Sequence, residues 1–86
     1  MQTDMNLDTE QKVDMVCSFL KNQIKPLYFR YMDKTVRINR TDMVNRMFRG
    51  NETVYFISAS NDTACYYFRY ETSTLRWILE KVWYKE

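Results

Sequence analysis

The sequence predicts an α+β domain: a four-stranded antiparallel sheet from two hairpins, in the order α-β-β-(short α)-β-β-α, with helices packed on one face. Three observations lead there. Apolar residues recur at helical spacing near both ends of the chain, alternating stretches rich in Tyr, Phe, Val and Ile fill the middle, and a single Gly and a single Pro in 86 residues leave only short connections.

The elements follow in order. Residues 1–7 read as a flexible tail, so the domain spans 8–86. Asp8 caps a first helix, with Gln11 placed to answer it. Val13, Val16, Cys17, Leu20 and Ile24 then form one stripe. Pro26 ends that helix and holds Lys25 extended. Leu27–Met32 alternates as a strand, Asp33-Lys34 turns, and Thr35–Asn39 returns with Val36 and Ile38 inward. Thr41 caps a short helix with Met43, Val44, Met47 and Phe48 on its apolar side, and Gly50 closes it. Thr53–Ala59 and Thr63–Tyr70 form the second hairpin around Ser60-Asn61-Asp62. Thr72 or Ser73 caps the last helix, striped by Leu75, Ile78, Leu79 and Val82.

Tyr28-Phe29-Arg30-Tyr31 recurs as Tyr67-Phe68-Arg69-Tyr70, and Thr35-Val36-Arg37 is echoed by Thr74-Leu75-Arg76. The first copy leads into a strand and the second into a helix. The repetition is therefore assigned to a tyrosine-rich composition rather than to a duplicated half.

Composition bounds the rest. The apolar fraction of 45% supports one small folded core. No stretch approaches the roughly 20 apolar residues of a membrane span. The polar start of the chain does not resemble a signal peptide, which places the protein in the cytoplasm. The triplets at Asn39, Asn51 and Asn61 are accordingly read as chance rather than as glycan sites. Cys17 and Cys65 are expected to be reduced, small core residues. With no His and no Cys-x-x-Cys, no metal is expected, and no other cofactor.

Charge carries the functional signal. Residues 25–50 hold Lys25, Arg30, Lys34, Arg37, Arg40, Arg46 and Arg49 against Asp33 and Asp42, a net of +5. Tyr28, Phe29, Tyr31 and Phe48 are interleaved with them. Strand alternation sets Phe29, Val36, Ile38 and Phe68 on the covered face and Tyr28, Arg30, Arg37, Asn39, Tyr67 and Arg69 on the open one. Guanidinium forks and aromatic rings suit phosphates and bases.

The first functional reading is thus a small, non-enzymatic protein that binds nucleic acid, RNA above all. Arg30, Arg37, Arg40, Arg46, Arg49 and Arg69 would hold phosphates, and Tyr28 and Tyr67 would stack bases. The second reading is a protein-interaction module or inhibitor acting on an acidic partner, or a homodimer. Its surface is made of Met15 and Phe19 on the first helix and of Trp77, Lys81 and Tyr84 on the last, all lying off the core stripes. The composition is similar to that of small phage proteins that bind host or defence factors. A third reading, a His-independent endoribonuclease using Tyr28, Arg30, Arg69 and Glu71, rests on RNA supplying its own 2′-hydroxyl. No catalytic pair or phosphate loop marks an enzyme.

The helix–hairpin–strand–helix order resembles, in topology alone, a double-stranded-RNA-binding domain. Asp33-Lys34 stands where that family has a Gly-Pro loop, and Ser73-Thr74-Leu75-Arg76 where it has lysines, so no family is assigned.

Overall fold

The computed structural model describes residues 6–85, with side chains from Glu10 onward. It overturns the α+β expectation: the chain is all-β, with seven antiparallel strands and no helix among the described residues. The strands are β1 (Asn6–Leu20), β2 (Gln23–Tyr31), β3 (Lys34–Arg37), β4 (Arg40–Arg49), β5 (Glu52–Ser60), β6 (Ala64–Glu71) and β7 (Arg76–Tyr84). They form one curled half-barrel in the spatial order β3-β2-β1-β7-β6-β5-β4. The topological resemblance to a double-stranded-RNA-binding domain falls with the helices. Most of the tail expected over residues 1–7 lies outside the described residues; Asn6 and Leu7 pair with Trp83 and Val82.

Each expected helix is a strand for a specific reason. In β1 the concave side carries Val13, Met15, Cys17 and Phe19 at a period of two, and the convex side carries Asp14, Val16, Ser18 and Leu20. The helical stripe mixed the two sides, because Val16 and Leu20 are apolar yet exposed. The chain reverses at Lys21-Asn22, both with left-handed φ (52° and 64°), the geometry of a tight two-residue hairpin. Pro26 does not end a helix; it sits inside β2 opposite Cys17, at a bulge that leaves Leu27 as the extra residue. The second hairpin turns at Met32-Asp33, one residue earlier than expected.

The short helix expected at 41–49 is β4, and Gly50 supplies the left-handed residue (φ 58°) of the following turn. The expected last helix is β7. There the extra residue Glu80 lengthens the inward step from Leu79 to Val82 to three, which imitates a helical stripe. Leu75, placed in that stripe, is an exposed turn residue with φ 57°. The strands expected around Asn61 are found as β5 and β6, each of the four ends displaced by one residue.

The core lies inside the curl. Phe29 of β2 is fully buried and meets Tyr66 and Phe68 of β6 edge-on, at 5.2 and 5.0 Å between ring centres. β2 and β6 are not hydrogen-bonded neighbours, so this contact is what the curl creates. Trp77 stacks on Tyr70 at 4.7 Å and touches Phe68 edge-on. Its expected exposure is corrected: it is 6% exposed and central to the core. The two Tyr-Phe-Arg-Tyr segments lie on these facing strands, each with its Phe inward and its Arg outward. The premise that the second copy leads into a helix therefore falls.

Two long runs turn the corners of the half-barrel. β1 pairs with β7 through its first half and with β2 through its second. The run β3–β4 does the same between β2 and β5. Ile38 N–H donates to Leu27 O at 2.9 Å, and the next residue, Asn39 N–H, donates to Ser60 O at 2.9 Å. Asn61 braces this corner. Its Oδ1 accepts from Thr63 and Ala64 N–H, and its Nδ2 donates to Arg37 O at 2.7 Å. Cys17 and Cys65 are half-buried free thiols, and burial pushes that of Cys17 above its ordinary pKa. No helix among the described residues is long and apolar enough to cross a membrane.

Candidate nucleic-acid interface

β2 and β4 are not hydrogen-bonded to each other. Beyond the corner at Ile38-Asn39 they diverge, which leaves a wedge-shaped opening in the wall of the half-barrel. β3 covers only the later part of β2, from Tyr28 onward, so Gln23–Pro26 presents a free strand edge to the wedge. The free edge of β4 faces it. Between them lie two contiguous clefts of about 560 and 550 Å³, which share Asn22, Gln23, Ile24 and Tyr55.

The lining has a definite chemistry. Lys25 stands on the β2 wall, and Arg40 and Arg46 on the β4 wall. Asn22, Gln23 and Asn39 add amides. Phe19, Tyr55 and Tyr70 form an aromatic floor, with Tyr55 stacked over Tyr70 at 6.3 Å and Phe19 tilted against it at 6.2 Å. That floor continues through Tyr70 onto Trp77 in the core, so Tyr55 is the outermost ring of a rigid aromatic column. No carboxylate is among the described residues that line either cleft. Asp42 stands beside the opening, held by Arg40 Nε at 2.5 Å. Lys25 and Arg46 have no carboxylate partner among the described residues, and Arg46 lies 5.6 Å from the Phe48 ring centre.

The structure separates the residues that the sequence grouped. Arg40 and Arg46 lie in the cleft. Tyr28, Arg30 and Arg37 are on the convex side of β2 and β3, where the Arg37 guanidinium covers the Tyr28 ring at 5.8 Å. Arg49 covers Phe56 at 5.5 Å on the convex side of β4 and β5. Tyr67 is exposed on the convex side of β6.

Arg69, also convex, is engaged by three carboxylates: Glu71 at 3.1 Å, Glu10 at 3.5 Å, and Glu80. Glu10 and Glu80 sit at bulges in β1 and β7, which aim both at the same guanidinium. Burial alone would lower the pKa of Arg69, but Glu80, Glu71 and Glu10 outweigh it and hold the charge above its ordinary value. Arg69 is thus occupied as an intramolecular ion-pair centre.

The proposed interface residues scatter as well. Phe19 is exposed at the mouth of the cleft, Met15 packs against the core from β1, and Trp77 is inside it. Lys81 borders a shallow convex hollow with Glu10, Tyr67, Glu80 and Trp83. Tyr84 lies at another cleft, between β3 and the Asn61 turn. The endoribonuclease grouping also divides: Tyr28 and Arg30 are on β2, and Arg69 and Glu71 on β6, with β1 and β7 between them.

Sequence reasoning passed over Tyr55, Asn22 and Gln23 as site residues, and left Lys25 of the basic block and Asn39 of the open face out of the expected contacts. The row Arg46–Tyr55–Tyr70–Trp77 exists only through cross-strand register, and no linear spacing announces it. No protein-family model, curated protein or solved structure matches this chain.

Proposed function

We propose that the wedge between β2 and β4 binds single-stranded nucleic acid, RNA above all, and that the protein acts by binding rather than by catalysis. The observation that carries this reading is a cleft with cations on both walls, an aromatic floor and no lining carboxylate. Cations neutralise phosphates, a ring of the Tyr55 kind accepts a base of any sequence, and amides bond to base edges and 2′-hydroxyls. A duplex presents its bases edge-on and stacked, which such a narrow aromatic floor does not accommodate.

Fluorescence anisotropy with a ten-nucleotide RNA tests the reading. With Lys25, Arg40 and Arg46 as phosphate contacts, log K falls with log salt at a slope of about −2. Arg46→Ala, at an exposed position, reduces that slope by about 0.7. Tyr55→Leu weakens binding by about 1–3 kcal/mol, the worth of one stacked base. Arg30→Ala and Arg37→Ala, on the convex side, leave affinity nearly unchanged. Binding that survives Arg46→Ala and Tyr55→Leu but is lost in Arg30→Ala would move the site to the convex face.

A second reading has its own observation. β4 is a ten-residue edge strand on which Met43, Val44, Met47 and Phe48 are all exposed beside Arg40, Arg46 and Arg49. An extended acidic segment of a partner protein could add to that edge as a further strand. Met47→Lys would abolish such pairing and spare RNA binding in the cleft.

A further inference from the structure

We infer that the cleft receives the end of a nucleic-acid strand, held by a terminal phosphomonoester, rather than an internal stretch. This rests on the single-strand reading above and specifies which part of the strand is recognised.

The first observation is that the wedge is blind at one end. Ile38 and Asn39 are consecutive, and their N–H groups bond to opposite walls, to Leu27 O and to Ser60 O, both at 2.9 Å. No chain passes through that point. Asn39, Arg40 and Thr41 form the closed end, and Phe19, Arg46, Tyr70 and Thr72 lie toward the open one. A strand lying along β4 with its bases on Tyr55 therefore runs into the closed end, and an internal stretch would have to turn back there. A strand terminus has no such difficulty.

The second observation is the chemistry of the closed end. Arg40 gives Asp42 only its Nε, so its two terminal nitrogens remain as donors toward a further anion. Lys25 lines the same cleft from the β2 wall; by register both cations rise from its convex rim, Lys25 opposite Ser18 and Arg40 opposite Ser60, and Asn39 lies at the corner itself. Thr41 is concave-facing, and its Oγ1 is buried with no hydrogen-bond partner among the described residues. A buried hydroxyl without a partner is unusual and calls for one. A phosphomonoester carries close to two charges near neutral pH and three strong acceptor oxygens, more than the single charge of an internal diester. Two cations at the rim and an amide at the corner match it, with the Thr41 hydroxyl just beneath the cleft surface. A 5′- and a 3′-phosphate share this chemistry, and the experiment separates them.

The test uses the full chain and one ten-nucleotide RNA sequence in four forms: linear with a 5′-phosphate, linear with a 3′-phosphate, linear with hydroxyls at both ends, and covalently closed into a circle. Affinities are compared by anisotropy competition at fixed salt. One of the phosphate-ended forms is expected to bind at least tenfold more tightly than the circle, and which one does so sets the polarity of the strand. Thr41→Val, close in shape and facing Ala59 across the sheet, is expected to narrow that difference. A circle that binds as tightly as every linear form overturns end recognition and leaves the single-strand reading standing. Hydroxyl-ended RNA that equals both phosphate forms overturns the phosphate assignment. If none of the four binds, the underlying reading fails and this inference with it.

Discussion

Replacing Trp77 with alanine separates the sheet from the helix more sharply than any other single change. On a helix, Trp77 would lie away from the core stripe, and its removal would cost less than about 0.5 kcal/mol, as for an ordinary surface position. In β7 it is 6% exposed, stacked on Tyr70 at 4.7 Å and edge-on to Phe68 at 6.0 Å. Truncating a buried Trp to Ala costs about 3–5 kcal/mol. A domain of this length has about 4–13 kcal/mol of total stability. The change therefore removes about a quarter of it or more. With a urea m-value of about 1 kcal/mol/M, the unfolding midpoint falls by about 3 M or the protein fails to fold cooperatively. Urea titration followed by far-UV circular dichroism gives the measurement. Trp83→Ala serves as the internal control, because Trp83 is half exposed on the convex side and its loss costs about 1 kcal/mol or less. A Trp77→Ala protein that unfolds at the wild-type midpoint would refute the packing described for β6 and β7.

Two further expectations concern charge. Burial raises the pKa of Tyr66 and Tyr70 above the ordinary tyrosine value, so folding favours their neutral forms. Their contribution is complete below the unfolded tyrosine pKa of about 10 and is lost as pH rises through the folded values. Thermal melts between about pH 8 and pH 11 should show this alkaline loss, and it should shrink in Tyr66→Phe and Tyr70→Phe. Arg69→Met leaves Glu10, Glu71 and Glu80 facing one another around a mostly buried position. It should cost about 1–3 kcal/mol at neutral pH. The deficit should diminish near pH 4, where carboxylates become protonated; an equal deficit at both pH values would mean that packing, not charge, is what Arg69 supplies.

Local pattern identified the elements whose surroundings are simple. β5 and β6 are flanked by partners on both sides, and their runs of Val, Tyr, Phe and Ile read as strands around the Asn61 turn, with Phe68 inward. The β2–β3 hairpin was legible from the alternation that set Phe29 and Val36 inward. β1, β4 and β7 were not. Each departs from strict alternation, β1 and β7 through bulges and β4 through apolar side chains left exposed at an edge. A bulge inserts one residue, which turns a step of two into a step of three, and a step of three mixed with steps of one and four is what a helix shows.

The candidate site divides in the same manner. The excess of arginine in residues 25–50 and its mixture with aromatic residues are properties of the sequence itself, as are the charge of the surface and the absence of histidine. Where those arginines point was decided elsewhere. Arg46 faces Tyr55 because β4 pairs with β5 in one register. Arg49 faces the opposite side, and Arg69 is captured by Glu10 from the distant first strand and by Glu80 from the next one. Lys25 and Arg40 line one cleft only because the run from β3 to β4 changes partners at Ile38-Asn39. Composition and local alternation are set by neighbours in the chain, which the sequence states directly. Strand pairing is set by backbone hydrogen bonds and side-chain packing between distant segments, and those form only when the whole sheet closes on its core.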